Sequence, residues 1–451
     1  MLIKQLSILL LLIVSTQSVL AEVAADQAER LGNDLMPLGG ERAGNAEGTI
    51  PEWQGGLTQP PSAYQAGGYY TDPFSDDQPL FEINNSNVNQ HASKLTPGHQ
   101  KLLSTYPESY KLLIYPTKRS AAAPERIYAA TKQIATTAKL TEDGNGVEGA
   151  AEGTPFPIPS NGLEVIWNHM LRWRGVDVKR EVAQVAPTRA GDFTPVKFKE
   201  ELIINYSREG VTAAEINNII IYFKQEVLSP ARLAGGILLV HETLNQNREK
   251  RNAWLYNPGQ RRVRRAPNVA FDNPGTASDG LRTNDQLDMF NGSPEKYNWE
   301  LKGKQEFYVP YNNYRISSPD LNYKDIVTPL HINQELVRYE LHRVWVVDAT
   351  LKSDERHIYK RRTFYVDEDS WQILHVDQYD NRDQIWRVSE GLAMNYYNVP
   401  NLWTTAEVHT DLQAGRYLVI GLDNESSPYD FNVEFSDADF SPAALRRQGR
   451  R

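Results

Sequence analysis

Cysteine is absent from all 451 residues of the chain. That excludes disulfides, thiol catalysis, cysteine-bound metal and the lipidated cysteine of a bacterial lipoprotein. Long apolar runs are missing as well: the run at 6–14 is too short to cross a bilayer as a helix, and no later stretch approaches that length. There is no excess of basic charge. Lys and Arg number 48 against 57 Asp and Glu, a formal net charge of −9, which argues against a general nucleic-acid binder. The sequence has no His-x-x-x-His pair, no Gly-x-Ser-x-Gly elbow and no phosphate-binding glycine loop. A zinc enzyme, an α/β-hydrolase and a P-loop enzyme therefore each lack their defining residues.

What is present starts with residues 1–21. Lys4 precedes the apolar run, and Val19, Leu20 and Ala21 close it with the small or apolar residues that a signal peptidase reads. The order of charge, apolar run and small-residue site predicts a secretory signal peptide cleaved after Ala21 and a periplasmic mature protein. A secreted chain without disulfides has to be held by its core alone. The remainder is long enough for one large β domain or two ordinary ones.

Turn residues punctuate the stretch that follows. Gly39-Gly40, Gly55-Gly56, Pro60-Pro61, Gly67-Gly68 and Asn84-Asn85 interrupt it, and long apolar periodicity is missing from 22–91. This reads as an extended arm, 22–123, that wraps a core made by 124–451. Thr96-Pro97 predicts a short helix, with a capping residue and proline at the first helical position, and Pro124 predicts another. Residues 161–175 form the clearest helix, capped by Asn161 and ended by Gly175. Leu163, Ile166, Trp167, Met170 and Leu171 make its apolar stripe.

From about 217 onward the pattern is β. Strands are expected at 219–223, 237–240, 253–256, 261–265, 306–309, 337–351, 357–366, 371–379 and 384–392. Pro258-Gly259 predicts a type II turn, and Asp380 to Asp383 a hairpin connection. Alternation in 337–351 places Tyr339, Leu341, Trp345 and Val347 on one face. Arg338, Glu340, His342 and Asp348 lie on the other, which is expected to be wet. Trp254 shares a face with Tyr256, and Trp371 with Ile373. Such strands make a curved antiparallel sheet with an apolar concavity, filled by helices, side chains or a ligand.

Five segments carry a resemblance: LGGERAGNAEGTIPEW at 38–53, PFPIPSNG at 155–162, WLYNPGQRRVRR at 254–265, DNPGTASDGLR at 272–282 and RYELHRVWVVDA at 338–349. They resemble domain-of-unknown-function family 1329 of Gram-negative bacteria, over nearly the whole mature chain. That family is similar to the lipoprotein-sorting proteins LolA and LolB. The resemblance implies a mainly β (α+β) fold, an incomplete antiparallel β-barrel with helices covering an apolar concave face that holds acyl chains. It also implies association with a permease of the RND superfamily and an outer-membrane porin-like protein. The family has no established catalytic residues, so none is carried over.

On this basis Trp254, Tyr256, Tyr339, Leu341, Trp345, Phe364, Trp371, Ile373 and Trp386 are the candidate lining of a lipid cavity, or ordinary core. Arg262 and Arg264, with Arg261 and Arg265, either hold a head group at the rim or are a solvated edge strand. Leu163, Ile166, Trp167 and Met170 are a candidate lid. Asp272, Asp279, Asp285 and Asp288 fall in a turn-rich segment whose spacing does not match an EF-hand, so Asx turns are expected to hold it. Glu340 with Asp348, and Asp367 with Asp369, are carboxylate pairs of the kind common by chance. No catalytic residue, metal or cofactor is assigned. The expected function is a periplasmic carrier of a hydrophobic or lipid-like molecule, not an enzyme. A ligand-free adaptor of an envelope complex and a carbohydrate- or ester-cleaving enzyme are the alternatives. An integral outer-membrane barrel is disfavoured by the long non-β N-terminal part and the Arg-rich end. N-terminal sequencing of protein recovered from the periplasm should begin at Glu22; an N-terminus at Met1 would overturn the export reading.

Overall fold

The computed structural model describes residues 23–266 and 271–449; the predicted signal peptide lies outside them. Fifteen strands form one large sheet. In chain order they are β1 (Phe81–Ile83), β2 (Leu112–Ile114), β3 (Asp177–Val185), β4 (Val196–Ile203), β5 (Ile219–Ser229), β6 (Ile237–Thr243), β7 (Asn252–Asn257), β8 (Arg262–Arg265), β9 (Tyr297–Pro310), β10 (Tyr339–Leu351), β11 (Arg361–Asp367), β12 (Ile373–Tyr379), β13 (Ile385–Asn395), β14 (Leu402–Asp411) and β15 (Arg416–Leu422). Two antiparallel meanders, β3 to β8 and β9 to β15, join where β15 pairs with β3. The antiparallel pair β1–β2, from the residues before 124, adds on beside the start of β10. Among the described residues β8 and β9 stay unpaired with each other, so the rolled sheet is an incomplete barrel.

One buried cluster shows the roll. It joins Val178, Phe198, Phe223 and Val240 of the first meander to Val347, Phe364, Ile373 and Trp403 of the second. The helix α3 (Gly162–Leu171) lies inside this cluster, on β9 and β10. Asn161 caps it as expected, accepting from the Glu164 N–H at 3.1 Å, but it ends at Arg172, before Gly175. Nine of its ten residues are buried. A helix covered all round is core, and each large side chain in it contributes about 1.5–3 kcal/mol through burial. The helix α1 (Pro97–Thr105), capped by Thr96, lies on β12 and β13. The helix α2 (Glu125–Ile134) follows Pro124, and α4 (Pro442–Gln448) covers β6 to β8 from the side opposite α3.

Three expectations need correcting. The Pro258-Gly259 turn is not type II: the left-handed residue is Arg261, at φ 51°, and the Asn257 side chain accepts from the Gln260 N–H at 3.0 Å. The strands β3 and β4 were not anticipated, nor were β14 and β15. The face of β10 expected to be wet is dry at its start: Glu340 and His342 are fully buried and Arg338 nearly so. The arm covers it. Arg338 reaches Asp77 at 2.8 Å and Glu340 at 2.6 Å, and the Lys118 N–H donates to Glu340 at 2.7 Å.

The arm is fastened most firmly at the turn after β11. Arg119 donates to both Asp369 oxygens, at 2.6 and 2.9 Å, and to the Glu41 carbonyl at 2.7 Å. Arg343 bonds Glu368 at 2.5 Å and the Ala43 carbonyl at 2.6 Å. The Trp371 indole N–H donates to the Leu38 carbonyl at 2.9 Å. Gly39 fits there because a Cβ would stand 1.8 Å from the Pro157 carbonyl oxygen. Burial and the neighbouring Asp369 push the Asp367 carboxyl up to about 7. Removing one partner of a buried ion pair strands the other charge. Arg119→Met should therefore lower unfolding stability by about 3–5 kcal/mol in urea titration; a loss under about 1 kcal/mol would show that the arm does not depend on this pair.

Candidate functional site

A cavity lies on the α3 side of the first meander. Its floor is Leu202 of β4, Ile221 and Phe223 of β5, and Leu238 and Val240 of β6. Alternation puts these residues inward, while Ile203, Tyr222 and Leu239 face α4. Trp403 closes one side, and Thr276, Arg282, Leu287 and Asp288 form a roof. Its volume is about 80 Å³. The wall is charged: Arg174, Arg180, Arg251, Glu242 and Glu407 all reach it. Arg180 and Glu200 sit directly opposite each other on β3 and β4, 2.6 Å apart.

The roof, 271–291, is held by ion pairs, one set for each of its four acids. Asp272 meets Lys296 at 2.8 Å, and Asp279 meets Arg416 at 3.0 Å. Asp285 meets Arg362 at 2.7 Å. Asp288 takes Arg172 at 2.5 Å and also pairs with Arg174, while the Trp403 indole N–H donates to it at 3.0 Å. Despite burial, the facing guanidiniums hold the Asp285 and Asp288 carboxyls well below the usual carboxylate range. The segment is thus structured as expected, and long-range ion pairs hold it. His169 of α3 braces it from behind: its Nε2–H donates to the Asp288 carbonyl at 2.8 Å, and Nδ1 accepts from the Ile373 N–H at 3.2 Å.

None of the nine aromatic and aliphatic residues expected to line a cavity lines this one. Phe364, Trp371 and Ile373 join the core around α3, with Trp345 packed against it and stacked on Trp371 at 6.3 Å. Tyr339 and Leu341 belong to a second cluster with α1. Trp254 and Tyr256 do share a face, but it is the one under α4. Trp386 is half-buried, with its N–H on Asp411 at 3.1 Å. Arg262 and Arg264 are exposed on the edge strand β8, away from the cavity. Of the residues proposed as a lid, Ile166, Trp167 and Met170 are packed in the core, and the Trp167 N–H donates to the Gly144 carbonyl at 3.0 Å. The cavity residues themselves gave little signal, because the apolar floor looks like any strand and the arginines come from four separate segments.

Other constellations fit structural roles. His99, His375 and Glu390 bring two imidazoles and a carboxylate within reach of one point, as do His342, Asp367 and Asp369. In the first, His99 Nε2–H donates to Glu390 at 3.0 Å and His375 Nε2–H to Asp377 at 2.7 Å. Both Nδ1 atoms are buried without a partner. A metal on Nε2 would move each proton to Nδ1, where nothing accepts it, whereas metal-bound histidines donate their second N–H. In the second cluster Arg119 occupies both Asp369 oxygens. Ser389 Oγ lies 2.8 Å from His409 Nδ1, and Glu407 lies 3.5 Å from His409 Nε2. This resembles a hydrolytic relay, but Ser389 is 1% exposed and its Oγ accepts from the Gln378 amide at 2.7 Å. Glu407 lines the cavity, but neither Ser389 nor His409 does.

Comparison with known proteins places this geometry in context. A family model described as a protein of unknown function, DUF1329, matches residues 82–446. An uncharacterized protein of Pseudomonas aeruginosa is 50% identical over 445 residues, 98% of each chain. A domain of the outer membrane lipoprotein-sorting kind from Vibrio parahaemolyticus is similar in structure, with TM-score 0.44 and 16% identity over 63% of this chain and 98% of that one. A LolA superfamily protein from Nitrosomonas europaea has TM-score 0.37 and 12% identity over 63% of this chain and 98% of that one. Among the described residues, no helix is long and apolar enough to cross a membrane.

The brace behind the roof makes a pH prediction. Burial, with Arg172 acting the same way, lowers the His169 pKa to about 3 from its ordinary 6.5. The unfolded chain therefore binds a proton here between pH 6.5 and about 3 while the folded chain does not. The neutral ring's contribution is complete above 6.5 and falls by about 1.4 kcal/mol per pH unit below it. The melting temperature should drop from pH 7 to pH 5, and His169→Gln should drop less steeply over that window. Parallel slopes in scanning calorimetry would remove His169 from the account.

Proposed function

The chain belongs to the DUF1329 family, and from that premise we propose an envelope binding protein that carries a hydrophobic or lipid-like molecule. The observation behind this reading is the cavity between the β4–β6 floor and the 271–291 roof, with apolar residues below and arginines at its wall. Small-molecule sites combine a mostly apolar lining with a few placed polar groups, and the cavity has that character. Its resting volume, about 80 Å³, is small against the roughly 300–1,000 Å³ of ordinary ligand sites. As it stands it admits the end of a molecule. A whole acyl chain enters only when the roof lifts, and each methylene then removed from water contributes about 0.8 kcal/mol. The signal-like segment 1–21 supports a periplasmic setting, and an RND-superfamily permease and a porin-like protein remain the proposed partners for hand-over.

The concave interior also favours a second reading, the ligand-free adaptor. Trp167, Met170, Phe290 and Trp371 fill most of the space that an open hollow would occupy. The two readings separate on the cargo. Protein purified from its native periplasm should release an amphipathic compound into organic solvent, seen by mass spectrometry, and Leu238→Trp, which plugs the floor, should come out empty with an unchanged melting temperature. No compound from the natural protein would leave the adaptor, and equal extracts from the two proteins would move the cargo off this cavity.

A further inference from the structure

Four guanidiniums reach the cavity, and three are already matched. Arg174 pairs with Asp288, Arg180 with Glu200 at 2.6 Å, and Arg251 with Glu242 at 2.5 Å. Arg282 differs. It is 5% exposed, and among the described residues its Nε has no hydrogen-bond partner and its Nη1 donates only to the adjacent Thr283 carbonyl at 3.2 Å. The opposing charge felt most strongly is Glu407, which acts through space without forming an ion pair or hydrogen bond to it. Glu407 is under-satisfied as well: its oxygens lie 3.4 Å from the Met289 N–H, 3.5 Å from Thr404 Oγ1 and 3.5 Å from His409 Nε2. A buried cation and a buried carboxylate thus face one cavity without touching.

Leaving a guanidinium dry and unpaired is costly, and chains normally avoid it. Here it is built in. The planar group rests against Gly275, where a Cβ would stand 2.5 Å from Nη1 and 2.6 Å from Cζ. Gly275 and Arg282 are tied through backbone, the Gly275 N–H donating to the Arg282 carbonyl at 3.0 Å. An under-satisfied guanidinium beside an apolar floor offers N–H donors of the kind that recognise the oxygens of an acid. We infer that Arg282 is the receptor for an acidic head group, carboxylate or phosphate, on an amphipathic molecule whose apolar end rests on Leu202, Phe223 and Leu238. This rests on the carrier reading and names its cargo class. Glu407 opposes the bound anion, which keeps the site reversible and favours a head group that also offers a hydroxyl or ammonium donor.

Calorimetric titration of the purified mature protein with octanoate, octyl phosphate and octanamide tests this, since the three share one chain and differ in the head. The anions should bind about tenfold tighter than octanamide or better, and the tighter of the two identifies the head group. Arg282→Met should bring the anions to parity with octanamide and leave octanamide itself unchanged. Gly275→Ala, which keeps every charge but displaces the guanidinium, should weaken the anions in the same direction. Glu407→Gln should tighten them. An absent preference in the natural protein, or one that survives both Arg282→Met and Gly275→Ala, overturns the assignment while the carrier reading stands. If none of the three compounds binds, the carrier reading falls and takes this inference with it.

Discussion

Buried charge, matched across long sequence distances, is the constraint that organises this molecule. A sheet of fifteen strands turns many acids and bases inward, and an unmatched charge in a dry interior is far costlier than an unmatched methyl group. Arg119 of the arm answers Asp369, Arg172 and Arg174 answer Asp288, and Arg362 answers Asp285. In each case a guanidinium ties a loop residue to a partner distant in sequence. The arm and the roof follow defined paths because only those paths complete these pairs. A hydrophobic core alone would have left both segments free to slide, since apolar contacts have no direction.

This also explains which parts of the architecture could be read from sequence. The helix around Trp167 carries its own cap and stripe, and the strands near Trp345, Phe364 and Val376 carry their own alternation or β-branched run. Local patterns of this kind need no partner to be visible. The strands β3 and β4 escaped because Arg180 and Glu200 occupy inward positions and break the apolar pattern at its centre. The strand β14 escaped because all ten of its residues are buried, so there is no wet face to alternate with. The face of β10 carrying Glu340 and His342 looked wet for the complementary reason: charge implies solvent unless a distant segment supplies the partner, and the arm supplies it.

The cavity was hidden for the same reason. Its apolar floor is ordinary strand sequence, and its arginines come from the end of α3, from β3, from the approach to β7 and from the roof. Apart from Trp386, the aromatic residues that stood out pack in or against three separate core clusters. Large aromatics mark where a protein packs against itself, whereas this cavity is marked by a polar group left without a partner. That feature appears only when every neighbour of Arg282 is known.

The roof ion pairs are unequal. Asp279 with Arg416 and Asp272 with Lys296 lie toward solvent, where such pairs contribute at most about 1 kcal/mol each. Asp285 and Asp288 are buried with their guanidiniums, and breaking either would strand charge in the interior. The part of the roof around Asp272 and Asp279 is therefore the more weakly held by charge, while the part from Asp285 to Asp288 is fixed to Arg362 and to the end of α3. Arg282 lies between the two, next to the fixed part. Backbone pairing joins the two parts, the Gly275 N–H donating to the Arg282 carbonyl at 3.0 Å and the Asp285 N–H to the Phe271 carbonyl at 2.9 Å, so the weakly paired outer end is held in place through the buried pairs of the inner one, and Arg282 keeps its seat against Gly275.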